Sequence, residues 1–294
     1  MSTLNRKDAA ILIGAALMLP QCGHRGNAIV VGSKNFTEEF IIAEIYAQAL
    51  EHAGLRVVRK FGLGSTQIAM AALRRGDIDL YPEYTGTALI DVLHLPPMRD
   101  ANALYQRVSS EFARRYALRW LQPSPMNDSQ GLATTQAIAK QYGLATLSKL
   151  SSLAPQLRLG AIPEFLSRAD ALPGLQKFYG GFRFKDVKTY DIGLKYRALL
   201  HGDADVVTAF TTDGALAANN LVVLKDDKHF WPEYHIAPVV RIDALKRAPQ
   251  IAGILNRISP AIDDATARSM NYAVDVKKQD SGDVAAAFLK GRTR

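Results

Sequence analysis

Side chains able to do covalent or metal chemistry are sparse in this 294-residue chain, and their spacing excludes most enzyme classes. The six histidines, at positions 24, 52, 94, 201, 229 and 235, show none of the intervals that gather imidazoles around a metal. Cys22 is the single cysteine, so the chain beyond it has neither a thiol nucleophile nor a disulfide. The Gly-x-Ser-x-Gly elbow, the phosphate loop ending in Gly-Lys-Ser and the His-Glu-x-x-His pattern are all missing. "GLGSTQ" is a glycine loop without the lysine or the dinucleotide pattern. Asp77, Asp79 and Glu83 are near one another, but carboxylates strung along one strand do not converge on a common proton. No catalytic residue, metal or cofactor is expected, and the chain reads as a binder.

What remains is a phrase that occurs twice. Ala72-Leu73-x-x-Gly76-Asp77-x-Asp79 returns as Ala198-Leu199-x-x-Gly202-Asp203-x-Asp205, and in the same register Tyr84-Thr85 falls on Phe210-Thr211. An aromatic ring offers a π face to a cation, and a threonine offers a hydroxyl. Each copy reads as a helix stopped by glycine, then a strand that delivers the aromatic and the threonine at its carboxyl end. In open α/β sheets ligands sit there. Two such lobes facing one another set Tyr84 and Phe210 on opposite walls of one cleft; the alternative is two unrelated helix stops.

The elements fit that grammar. Ala28 to Val31 reads as a buried strand, Thr37 as the cap of a helix with Glu38 and Glu39 in its first turn, and Gly54 as its end. Leu55 to Phe61 is a strand, Thr66 to Arg75 a helix, and Ile78 to Tyr81 the next strand. Later, Leu157 to Ile162, Ile192 to His201 and Asp205 to Phe210 repeat strand, helix, strand, and the tail from Ala244 reads helical with breaks at Pro249 and Pro260. This alternation predicts parallel sheets wrapped by helices.

The beginning differs. Arg6 and Lys7 precede the apolar run "AAILIGAALML", followed by Pro20-Gln21-Cys22-Gly23, which reads as a secretory signal. Leu19-Pro20-Gln21-Cys22 resembles the lipobox of bacterial lipoproteins, with Gln21 where a small residue is usual. Both a lipid anchor on Cys22 and a free periplasmic protein stay open. Hydrophobic residues at 48% and charged residues at 22% suit a globular chain. The net charge of +8 is spread as scattered residues and pairs, so a solvated basic surface is expected and no nucleic-acid partner.

The segments "GSKNFTEEF", "GSTQIAMAALRRGDIDLYPEYTGTAL", "IPEFLSR", "TTDGAL" and "LVVLKDDKHFWPEYHIAPVVR" together resemble the substrate-binding proteins of bacterial ABC importers for glycine betaine, choline and related quaternary ammonium osmoprotectants. The resemblance runs from about Ile29 to Phe288. It implies a two-lobed periplasmic binding protein fold of type II: 1–27 as export region, 28–125 as the first part of lobe 1, 126–234 as lobe 2, and 235–294 returning to lobe 1. Hinge crossings are then expected near 124–128 and 231–235. The implied partners are the ligand and a membrane permease with its ATPase, the protein itself being a monomer outside the cytoplasm. The same trap could serve a signalling receptor.

A trimethylammonium donates no hydrogen bond and is best held on aromatic faces, while a betaine carboxylate needs cationic or hydroxyl donors. By the matched motifs, Tyr84 and Tyr234 form aromatic walls, Lys34, Thr87 and Arg168 meet the carboxylate, and Asp128 faces the cation. Phe210 stands where tyrosine is usual, and Gln130 stands where relatives place another aromatic. Either Gln130 weakens glycine betaine binding or it hydrogen-bonds a larger ligand, such as ergothioneine. Because Lys34, Thr87 and Arg168 are all present, a ligand with a carboxylate is expected over choline. Asp213 is expected to cap a helix, and Glu164 to be a possible ion-pair partner of Arg168.

Overall fold

The computed structural model describes residues 28–292. The expected signal segment and Cys22 lie outside the described residues. Among the described residues, no helix is long and apolar enough to cross a membrane.

Among the described residues ten strands follow one another as β1 (Ile29–Gly32), β2 (Val57–Lys60), β3 (Leu80–Tyr84), β4 (Leu118–Trp120), β5 (Gln130–Thr134), β6 (Arg158–Ala161), β7 (Asp186–Thr189), β8 (Val206–Phe210), β9 (Val222–Val223) and β10 (Ile236–Arg241). They divide into two five-stranded sheets, ordered β2-β1-β3-β10-β4 and β7-β6-β8-β5-β9. In each sheet the strand that follows a crossing from the other lobe, β5 or β10, runs antiparallel to its neighbours, and the helix-connected strands are parallel. The fold is therefore two-lobed, with mixed rather than wholly parallel sheets. Where the two crossings run side by side, Asn127 and His235 pair in antiparallel fashion.

The helix Thr37–His52 covers one face of the first sheet through Ile41, Ile42, Ile45 and Leu50, all fully buried against the returning C-terminal helices. Burial of each such side chain contributes about 1.5–3 kcal/mol. The other face is closed by Leu73, Leu104 and Phe112. Phe36, not Thr37, occupies the cap position of Thr37–His52, because the Thr37 hydroxyl donates instead to Asp275 at 2.6 Å. The third strand starts later than the sequence suggests and runs through Tyr84, so the aromatic is its last residue.

The repeated phrase has one geometry in both lobes. Gly76 and Gly202 both take φ of 78°, a left-handed stop that favours glycine. The Asp79 N–H donates to Val30 O while its carboxylate accepts the Val30 N–H at 2.8 Å. Asp205 does the same to Arg158, again at 2.8 Å from N–H to carboxylate. Each aspartate thus fixes the register of its strand against the neighbour. The threonines fasten the crossings. Thr85 Oγ1 accepts from His235 N–H at 3.1 Å and donates to Glu233 O at 3.3 Å. Thr211 Oγ1 accepts from Ser129 N–H at 2.9 Å and donates to Asn127 O at 3.1 Å.

Candidate functional site

The strand ends built this way open on a cavity of about 200 Å³ between the sheets. Tyr84 is the last residue of β3, Phe210 the last of β8 and Gln130 the first of β5, while Lys34 follows β1 and Thr87 lies one turn beyond β3. Arg168 follows the short turn Pro163–Leu166, and Asp128 and Tyr234 come from the two crossings. All of these side chains line the one cavity, together with Phe36 and Phe165. A larger hollow of about 550 Å³ shares Phe36, Asp128 and Phe210 with it and adds Glu38, Asp213 and Asp275 to its own wall.

Two rings already carry a resident cation. Lys34 Nζ lies 4.6 Å from the Tyr84 centroid and Lys195 Nζ lies 4.4 Å from that of Phe210. Phe36 stacks on Tyr84 with centroids 6.3 Å apart. The Lys34 ammonium donates to Glu83 at 2.7 Å and lies 3.4 Å from Glu39 Oε1, which accepts no hydrogen bond from the described residues, so N–H capacity of the ammonium remains uncommitted. Burial disfavours this ammonium, but the two glutamates outweigh burial and raise its pKa. Lys195 is held by Asp213 at 2.8 Å.

Two buried carboxyls, Glu38 and Asp128, stand close to this cavity, and burial disfavours the charged form of each. Burial, opposed by hydrogen bonds from Tyr84 and Asn271, pushes the Glu38 carboxyl up; the Tyr84 hydroxyl donates to Glu38 at 2.7 Å and Asn271 Nδ2 at 2.8 Å. Burial, followed by the charges of Glu38 and Asp213, pushes Asp128 well above the ordinary carboxylate range. Asp128 accepts both the hydroxyl and the N–H of Thr212, at 2.6 and 3.2 Å.

The opposite wall is organised by Asp170, which is 1% exposed. Its carboxylate accepts from Arg168 Nε at 2.8 Å and Nη2 at 2.6 Å, from the Tyr234 hydroxyl at 2.7 Å, and from Gln130 Nε2 at 2.9 Å. Arg168 also approaches Thr87 Oγ1 at 3.4 Å and Asp91 at 3.7 Å, contacts that tie the second lobe to the first. Arg168 therefore pairs with Asp170 and not with Glu164. Asp213 occupies the N-cap position of the helix Gly214–Ala218, as expected, but its side chain makes no capping bond there and accepts instead from Lys195, from the Tyr196 hydroxyl and from the Phe210 N–H.

Sequence reasoning overlooked Phe36, Phe165, Glu38 and Asp170. The first two lay inside the segments "SKNFTE" and "PEFLSR", where the flanking charges drew notice. Glu38 looked like an ordinary first-turn acid, and Asp170, two residues beyond Arg168, carries no periodic signal.

A family model for the substrate-binding domain of ABC-type glycine betaine transport systems matches residues 27–291. The chain is 34% identical over 297 residues to a glycine-betaine-binding protein of Pseudomonas aeruginosa, covering 98% of this chain and 95% of that one. It is 32% identical over 281 residues to an ergothioneine transport permease/ergothioneine binding protein of Helicobacter pylori, covering 95% of this chain and 50% of that one. A crystal structure of a glycine betaine/carnitine/choline ABC transporter protein superposes with a TM-score of 0.74 at 29% identity, over 91% of this chain and 99% of that one. Two like lobes closing on one aromatic and carboxylate-rich cavity agree with those matches, and the chain belongs to the family of substrate-binding domains of ABC-type glycine betaine transport systems.

Proposed function

We propose that this cavity captures a small quaternary ammonium compound bearing a carboxylate, of the glycine betaine kind, and that the loaded protein delivers it to an ABC permease driven by its ATPase. The observation that carries this reading is the convergence of Tyr84, Phe210 and Tyr234 from both lobes and a crossing on one cavity that also holds Asp128 and Arg168. The ammonium sits against the ring faces, each contributing about 0.5–2 kcal/mol, beside the Asp128 carboxyl. The carboxylate lies toward Arg168 and Thr87, with the uncommitted N–H of Lys34 as a third donor. Gln130 completes the wall.

Lobe 1, 28–125 with 235–294, and lobe 2, 126–234, turn about the paired crossings. The protein works as an extracytoplasmic monomer, held near its permease by a lipid on Cys22 or free in the periplasm. Calorimetric titration against glycine betaine, carnitine, ergothioneine and choline tests the reading. A carboxylated ligand is expected to bind most tightly; choline binding more tightly than all of them would overturn it.

A further inference from the structure

Gln130 supplies an amide at a wall position where the family resemblance implies a ring, and its hydrogen bonds fix which end of that amide meets the cavity. Its Nε2 donates to the Asp170 carboxylate at 2.9 Å and to Asp170 O at 3.1 Å. Nε2 also lies 3.3 Å from the Tyr234 oxygen, whose own proton goes to Asp170, leaving that oxygen to accept. A flipped amide would set Oε1 against two acceptors of Asp170, so only one orientation satisfies the network. Among the described residues nothing donates to Gln130 Oε1, although the side chain is 9% exposed and lines the cavity. With Nε2 turned toward Asp170, the carbonyl oxygen is the group presented to the guest.

We propose that this cavity selects, among zwitterionic quaternary ammonium compounds, those carrying an additional hydrogen-bond donor, a hydroxyl or an azole N–H, that reaches Gln130 Oε1. The inference rests on the proposed function and narrows its ligand class. In the open state water satisfies the carbonyl. When the lobes close, a ligand without a donor leaves it buried and unpaired, and sites built to bond a polar group reject analogues that lack it. Glycine betaine has no such donor, so on this reading it binds less tightly than a donor-bearing analogue.

The test uses two compounds differing by one hydroxyl, carnitine and γ-butyrobetaine, with ergothioneine as the azole donor. Each is titrated calorimetrically into the native protein and into Gln130→Met, a near-isosteric change that removes the amide. The native protein should bind carnitine at least about tenfold more tightly than γ-butyrobetaine, or bind ergothioneine at least about tenfold more tightly than Gln130→Met does. In Gln130→Met the carnitine preference should fall below about threefold. A loss confined to one of the two ligands says which donor the carbonyl reads. Should Gln130→Met not fold, Gln130→Tyr takes its place, and it should gain glycine betaine affinity while losing the hydroxyl preference. No preference in the native protein and no loss of ergothioneine in the variants, or a preference that survives both substitutions, overturns the proposal. If no quaternary ammonium compound binds the native protein, the proposed function fails and this inference falls with it; binding without discrimination sinks the inference alone.

Discussion

Replacing Asp170 with asparagine keeps the shape of the side chain and removes the charge on which one wall of the cavity depends. Four donors converge on this carboxylate: Arg168 Nε and Nη2, the Tyr234 hydroxyl and Gln130 Nε2. The Arg168 side chain is only 14% exposed, so its guanidinium stays desolvated once the partner charge is gone. Breaking a buried pair from one side costs about 3–5 kcal/mol. Asp91, 3.7 Å from Arg168 Nη1, offsets part of this and places the expected cost at the lower end, about 3 kcal/mol. For a chain of this length about 1 kcal/mol moves the thermal midpoint by roughly 2–4 °C, so Asp170→Asn should melt roughly 6–12 °C below the native protein. Circular dichroism melts read this directly. A ligand carboxylate can replace the lost charge, so saturating glycine betaine should raise the midpoint of the variant more than that of the native protein, and choline should not. A variant that folds and melts within about 2 °C of native would refute the reasoning that Asp170 holds the Arg168 charge.

Tyr84→Ala removes a ring face and should cost more than about 1 kcal/mol of affinity for a quaternary ammonium ligand, whereas Tyr84→Phe, which gives up only the bond to Glu38, should change affinity less than about threefold; equal losses in calorimetry would take the ring out of the site. Thr85→Val and Thr211→Val each delete a hydroxyl that both accepts and donates across a crossing, and urea unfolding should show about 1–3 kcal/mol lost in each; a loss below about 0.5 kcal/mol in both would mean the crossings are not fastened there. Burial, opposed by Lys34, raises the Glu39 carboxyl from 4.5 to about 8, so the folded state binds the extra proton between those values. Stability from Glu39 is then fully present below pH 4.5 and lost as pH rises toward about 8, and Glu39→Gln should flatten that part of the stability profile; a native profile that rises with pH through this window while the variant's stays level would exclude the assignment.

Much of the lobe architecture was legible because glycine stops and apolar runs are local signals. Thr66–Arg75 is recovered at both ends, since Gly76 closes it with a backbone angle few other residues tolerate. The third strand lies later than its apolar run suggests: the run stops at Tyr81, while the strand continues through Pro82 and Glu83, buried by partners elsewhere in the chain. Thr37 illustrates a different limit: a cap is a local option, and Asp275 offered its hydroxyl a better partner from the far end of the sequence. The site itself divides in the same way. Residues inside motifs could be matched, but the acceptor that orients Arg168, Gln130 and Tyr234 belongs to none, and only its burial at the meeting point of three elements reveals it.

The doubled phrase carries both a likeness and a difference between the lobes, and a zwitterionic guest of the proposed kind would need both. Backbone jobs are duplicated: glycine ends the helix, the second aspartate sets register, and threonine ties the strand end to the crossing. That duplication places Tyr84 opposite Ile236 in one sheet and Phe210 opposite Gln130 in the other, each aromatic beside the first residue of a returning strand. The likeness stops at the side chains. Counting from Val30 and Arg158, the residues the two aspartates hold, Lys34 and Ile162 occupy corresponding places, and both line the cavity. One is a cation and the other a hydrocarbon, as Gln130 is an amide where its counterpart Ile236 is fully buried and apolar. Two identical jaws would present the same chemistry twice and could not tell the ammonium end of a guest from its carboxylate end. Duplicated strands deliver the rings to a common cleft, and under the proposed function the departures from duplication are what would give the guest a direction.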